Sequence, residues 1–533
     1  MRLLVLCAGL FLAVPVAGQE PEPRIRVAVD PRIELLTVVE TLADYGWSGS
    51  LSTDNTPYRR DVDAWFGSYK AHPAVKMFSE LARQGFSLDT PPRLVLCFSN
   101  PPDLVLQHPP GDCGLPADPQ VAAATETFRL LLSDFAVQSR FGDFWDAHAD
   151  VYTAVAEQVR KGMPGDPAAE LETYYGQQQS TYTVIPALLM RGNFGPRVPA
   201  VGGSFDLFAV IGTVGQSAGV PQFQSGTSLR MLLWHEFGHS FVNPNVDSNP
   251  ERVAATSALF TPIAAKMQPQ GYGMWSISVI EHLVRAGVAR LSARYLGESA
   301  GAMEILAQRG LGFAYLPALC ERLLEYEADR TSWPDYPSFA GRLFDALDQL
   351  AGRTLGPEFF VAPYAGTVNS VLSDRQRAVL VVPTAESDPE AQSAIRAYAL
   401  RIRDTFFPGR PVMDDVDALA ADLSGVNVVA YGTLQGNLWL ARIRDQMLVK
   451  IDGDKVVAGQ KQYAGDHLRL ILSMPNPANP DTSGVAVYTA PDARDIAGIN
   501  SVPHGGTSYT VANGTTVVGA ANYKLIDGAW VLE

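Results

Sequence analysis

Apolar positions recur at helical spacing over much of the first 350 residues. Ile33 to Tyr45, Tyr58 to His72, Pro73 to Gln84, Asp118 to Ser139 and Phe144 to Lys161 each carry such a pattern and predict helices. Short apolar runs at Arg24 to Val29 and Arg93 to Ser99 read as strands, whereas Pro101 to Pro119, rich in Pro, Gly and Asp, reads as a loop. The rhythm then turns to β, with Tyr182 to Met190 and Ser204 to Thr213 flanking a turn at Asn193-Phe194-Gly195. Helical patterns resume at Thr227 and dominate to about Leu350. A small sheet thus precedes a long helical stretch. Past a linker-like segment at Pro363 to Asp374, strands are expected at Ala378 to Pro383, Val426 to Gly432, His467 to Met474 and Gly484 to Thr489, with a helix over Glu386 to Thr405. The expected organisation is an α+β domain over residues 19–365 and a smaller α/β domain over 375–533.

Length supports this division, because 533 residues leave room for two or three cores. The N-terminus changes where the protein is expected to work. Met1-Arg2, an apolar run from Leu3 to Val14 and small residues up to Gly18 read as a signal peptide over residues 1–18. That run falls short of the ~20 apolar residues a membrane span needs. No later segment qualifies, so an exported protein, periplasmic or extracellular and without a membrane span, is expected. The formal charge of −15 disfavours nucleic acid as a partner. Cys97, Cys113 and Cys320 remain after processing; a Cys97–Cys113 disulfide and buried free thiols are both open. No Cys-x-x-Cys spacing exists to make a thiolate metal site.

The densest chemistry lies in TSLRMLLWHEFGHSFVNP, residues 227–244. Leu229, Leu232, Leu233, Phe237 and Phe241 fall largely at helical spacing, which puts His235 and His239 one turn apart on one face. Two imidazoles so placed reach one Zn²⁺, and the adjacent Glu236 can act on water as a general base. Gly238 weakens the helix and offers room for close backbone approach. A catalytic zinc takes a third protein ligand and keeps one position open. Val242 and Asn245 occupy the positions where a metzincin would carry Gly and then His or Asp, so the third ligand is expected from elsewhere. Glu281, in the helical pattern SISVIEHLVRAGVARL, is the first candidate, since a carboxylate among Val279, Ile280, Leu283 and Val284 needs a partner. An ion pair with Arg285 at i+4 is the alternative use of that carboxylate. Glu251 follows as a ligand candidate, with Asp247 and Glu304 behind it.

A zinc centre of this kind polarises a carbonyl and activates water, which makes amide hydrolysis of a peptide or protein substrate the expected reaction. The developing oxyanion needs a donor; Tyr315 is the first candidate and His282 the second. At these residues the chain resembles the gluzincin zinc peptidases. Taken with AHPAVKMF at 71–78, RGNFGPR at 191–197 and EHLVRA at 281–286, it more closely resembles a family of exported bacterial proteins, domain of unknown function 4932, over about residues 25 to 350. The resemblance implies a zincin-like fold with His235, His239 and Glu281 as metal ligands and Glu236 as base. It also implies that the strands at 182–190 and 204–213 sit where zincins keep the edge strand that pairs with an extended peptide, with a place in the sheet core as their ordinary alternative. One departure stands out: thermolysin-like gluzincins carry an Asp four residues after the ligand Glu to orient the first His, and here that residue is Arg285. The orienting partner of His235 is therefore open.

Two other functions compete. Gly215-Gln216-Ser217-Ala218-Gly219 matches a serine nucleophile elbow, although Pro221 and polar residues follow where the elbow requires a helix. A zinc-binding protein that captures a substrate or surface without cleaving it would keep the histidines but has no chemical need for Glu236. The C-terminal domain shows no phosphate-loop pattern and reads as an accessory module. Oligomeric state leaves no trace in the sequence.

Overall fold

A computed structural model of the protein describes residues 24–116 and 118–532, without the side chains of Trp47 and Ser48. The expected signal peptide lies outside the described residues. The fold is mixed α/β, largely helical in its first two thirds and β-rich towards its C-terminus. It divides into two compact units, one of residues up to Ala169 plus Gln179–Leu229, the other of Glu170–Gln178 plus Arg230 onwards.

The first unit carries a four-stranded sheet of β1 (Ile25–Val27), β2 (Thr181–Pro186), β3 (Arg197–Pro199) and β4 (Phe205–Ile211), in the order β1-β2-β4-β3. β1 and β4 both pair with β2 in parallel, and β3 closes antiparallel on β4. Helix Pro31–Leu42 starts at Asp30, whose carboxylate caps the Arg32 N–H at 2.9 Å, and it is buried almost throughout. Helices Pro57–Phe66, Pro73–Arg83 and Pro119–Gln138 each begin on a proline, where the missing N–H removes no helical bond.

Three expectations are corrected here. The run Arg93 to Ser99 is not a strand: Thr90–Leu96 is a helix, with Pro91 and Pro92 in its first turn and Leu94, Val95 and Leu96 all buried. A short apolar run without alternation fits either structure, and tertiary burial chose the helix. The helix expected from Phe144 to Lys161 is two, Phe141–Ala147 and Ala149–Gly162. At the junction His148 Nδ1 meets the Phe144 carbonyl at 2.8 Å, occupying an acceptor in the last turn. The first β segment ends at Pro186, and Ala187 to Met190 turn away. Cys97 and Cys113 form a disulfide, and Cys320 is a buried free thiol.

Ser217 lies in a hairpin of β5 (Gly215–Ser217) and β6 (Val220–Gln222), joined through Ala218 and Gly219, which have φ of 49° and 82°. Two residues at positive φ make a tight hairpin turn. A nucleophile elbow needs a helix at that point, so the serine alternative lacks its scaffold.

In the second unit the expected strands and crossover helix build a seven-stranded sheet. Its members are β7 (Ala378–Val382), β8 (Val412–Asp414), β9 (Asn427–Tyr431), β13 (Leu468–Pro475), β14 (Gly484–Thr489), β15 (Tyr509–Asn513) and β16 (Thr516–Ala521), ordered β16-β15-β13-β14-β9-β7-β8. The intervening strands β10 (Val449–Asp452), β11 (Lys455–Ala458) and β12 (Lys461–Ala464) form a separate meander. β14, β9, β7 and β8 run parallel and are apolar on both faces, where two cores pack. Among the described residues no helix is long and apolar enough to cross a membrane.

Candidate metal centre

Gly226–Asp247 is a single helix, as the spacing predicts. Leu229, Leu233, Trp234, Phe237, Phe241 and Val242 are buried along it, which leaves His235, His239 and Asn243, spaced four apart, as a polar stripe. Its rotation is fixed from the apolar side: Glu170 accepts the Trp234 indole N–H at 2.9 Å and the Arg230 Nε at 3.0 Å. Tyr175 stacks on Phe241 with ring centroids 4.8 Å apart.

Glu281 comes from a second long helix, Trp275–Leu296, whose middle is almost wholly buried. It is 6% exposed and forms one group with His235 and His239 that could hold a metal ion. The two imidazole Nε2 atoms are 3.3 Å apart; Glu281 Oε1 is 3.6 Å from His239 Nε2, and Oε2 is 3.7 Å from His235 Nε2. Tetrahedral ligands at ~2.0–2.1 Å from zinc stand ~3.3–3.4 Å from one another. The nearest contacts approach that spacing, one ligand atom from each residue lies within 4.8 Å of the others, and the donor set suits a borderline divalent cation. The ion pair foreseen for Glu281 is present as well, because Arg285 Nη2 lies 3.1 Å from Oε2.

The electrostatics favour a neutral imidazole at His235. Burial, helped by the Arg285 charge and by His239, holds His235 well below the usual histidine range, so its ring offers a lone pair. His239 Nδ1 faces Asn243 Oδ1 at 3.2 Å. The Asn carbonyl takes the Nδ1 proton and leaves Nε2 bare towards the other donors. Glu236 is buried beside them at 5% exposure. Glu251 and Asp247 are exposed and stand outside the group. Glu304 is reached only through a relay: Arg285 Nη1 donates to Gln308 Oε1 at 2.9 Å, and Gln308 Nε2 donates to Glu304 Oε1 at 2.7 Å.

Tyr315 does not offer the donor expected of it. Its ring is fully buried and its hydroxyl donates to the Leu259 carbonyl at 2.6 Å, so its proton is committed. His282 is fully buried as well, with Nδ1 2.7 Å from the Ser278 carbonyl, and burial pulls it down to about 4. Tyr272 has the free hydroxyl instead. Its oxygen accepts from Arg285 Nη2 at 3.1 Å, and burial with the nearby charges of Glu281 and Glu236 pushes the phenol up to about 12. Sequence reasoning missed Tyr272 and Asn243. Only Asn243 left a signal, the position one turn beyond His239.

A model of one protein family matches residues 25–345. The chain belongs to the family described as domain of unknown function (DUF4932). No curated protein and no solved structure matches it. The span shared with the family contains every residue of the group, together with Arg285, Tyr272 and Asn243, and stops before the seven-stranded sheet.

Proposed function

We propose that this protein is an exported zinc-dependent peptidase of gluzincin type, with His235, His239 and Glu281 as the metal ligands and Glu236 as general base. The observation that carries this reading is the convergence of His235 and His239, on the helix that also presents Glu236, with Glu281 from a second helix, their nearest ligand atoms 3.3 to 3.7 Å apart. A zinc ion held there supplies Lewis acidity towards a peptide carbonyl and lowers the pKa of water. The chain's own residues do the rest. Glu236 takes a proton from the attacking water and returns it to the leaving amine. Tyr272, held by Arg285, donates its uncommitted hydroxyl to the carbonyl oxygen as negative charge grows there. Asn243 keeps His239 in the tautomer a metal requires. The Cys97–Cys113 disulfide accords with an oxidising compartment.

The test is hydrolysis of a mixed fluorogenic peptide pool by zinc-loaded protein, with Glu236→Gln alongside. Cleavage by the wild type, abolished by a chelator and by Glu236→Gln with zinc still bound, is the expected result. Zinc binding with no cleavage would leave the capture protein as the reading, and protein that takes up no zinc would overturn the centre itself.

A further inference from the structure

Arg285 is a cation already in place beside a carboxylate that a metal would share. It is held on four sides: by Glu281 Oε2 at 3.1 Å, by the Tyr272 hydroxyl at 3.1 Å, by Gln308 Oε1 at 2.9 Å, and by the Phe313 ring, whose centroid is 4.3 Å from Cζ. Its side chain is 16% exposed, and Glu281's is 8%. A guanidinium held by four partners is not readily displaced when another cation arrives.

We infer that Arg285 is a built-in counter-charge that keeps Glu281 paired in the metal-free protein and weakens metal binding, so that occupancy follows the free metal concentration. The inference rests on reading His235, His239 and Glu281 as a metal centre. Two steps lead to it. A buried carboxylate is costly without a compensating charge, and Arg285, 3.1 Å from Glu281 Oε2, provides one before any metal is present. A divalent ion at the same carboxylate then meets a fixed positive charge in a site of low polarity, where like charges repel far more than in water. Glu304, linked through Gln308, is a second acid near Arg285; burial raises its pKa while Gln308 and Arg285 lower it, and it offsets the Arg285 charge to the extent that it is ionised.

The experiment titrates Zn²⁺ against a chromophoric chelator, and follows thermal unfolding with and without zinc, in the full chain and three variants. Arg285→Met is expected to bind zinc about tenfold or more tighter than wild type. It should also lose much more thermal stability than wild type when zinc is stripped. Arg285→Lys, which keeps the charge, should bind zinc like wild type. Glu304→Gln, which leaves the Arg285 charge less offset, should bind it more weakly. Recovery of folded Arg285→Met only in the presence of zinc would support the pairing role, and Glu304→Gln then decides the affinity question. Wild-type zinc binding with Arg285→Met equal or weaker, or with Glu304→Gln unchanged, would overturn the inference alone. Wild type that binds no zinc would overturn the metal-centre reading and this inference with it.

Discussion

His239 and Asn243 are joined across one helical turn, Nδ1 to Oδ1 at 3.2 Å, and that contact decides which ring nitrogen points into the candidate centre. An amide carbonyl accepts the Nδ1 proton, so Nε2 keeps its lone pair. Asn243→Leu removes the acceptor without adding charge. It is expected to lower zinc affinity by about tenfold, measured by chelator competition, with little change in stability. Equal affinity would show that the tautomer is fixed elsewhere.

Tyr272 and Tyr315 differ in what their hydroxyl protons do, and substitution separates them. Tyr272→Phe is expected to reduce kcat on a cleavable peptide by about 100-fold with zinc content unchanged. Tyr315→Phe removes a buried donor to the Leu259 carbonyl and should destabilise the fold by about 1–2 kcal/mol while leaving kcat near wild type. Steady-state kinetics with chemical denaturation on both variants reads the difference. A kcat loss in Tyr315→Phe alone would restore the role to Tyr315.

The contrast between these tyrosines shows what the sequence could carry. His235, Glu236 and His239 are legible because their geometry is local, fixed by helix pitch alone. Glu281 is legible because a charge in an apolar helix demands a partner. The state of Tyr315 depends on the Leu259 carbonyl, 56 positions away, and that of Tyr272 on a guanidinium at the site no ligand motif assigns. Residue type and spacing contain neither fact. The helix Thr90–Leu96 failed for a related reason, since burial from other segments decided between two structures that its own pattern allowed.

Two glycines near the centre have opposite requirements. A Cβ on Gly287 would overlap the hydroxyl of Tyr175, whose ring is buried and stacked on Phe241. A Cβ on Gly238 would meet Val284 Cγ1 at 3.6 Å and the Tyr175 hydroxyl at 3.8 Å, both ordinary contacts. The glycine inside the motif is therefore not required by close approach, contrary to the use suggested by its position. Gly287→Ala is expected to destabilise by about 1–3 kcal/mol through overpacking. Gly238→Ala should be neutral or stabilise by up to ~1 kcal/mol through helix propensity. Urea unfolding of the two variants checks both, and a destabilised Gly238→Ala would contradict the packing argument.

The first unit carries two buried acids on helix Pro31–Leu42 that tie its stability to pH. Burial pushes Glu34 up to about 7, against hydrogen bonds from the Tyr58 hydroxyl at 2.6 Å and the Leu188 N–H at 3.1 Å. Burial pushes Glu40 up to about 8, and its Oε2 has no partner. Both values lie above those of the unfolded chain, near 4.5, so between these limits the folded state holds protons that the unfolded state has released. Stability contributed by the protonated acids is then present at pH 4.5 and lost as pH rises through about 7 for Glu34 and about 8 for Glu40. Glu34 retains hydrogen bonds when ionised, whereas Glu40 Oε2 has none, which makes Glu40 the better residue to change. Glu40→Met is expected to flatten the decline and to raise stability at pH 8 by about 2–4 kcal/mol relative to wild type. Hydrogen exchange of helix Pro31–Leu42 across pH 5 to 8, corrected for the intrinsic exchange rate, reads the effect within this unit. Parallel pH profiles for the variant and the wild type would mean that Glu40 is not the group whose ionisation weakens the helix.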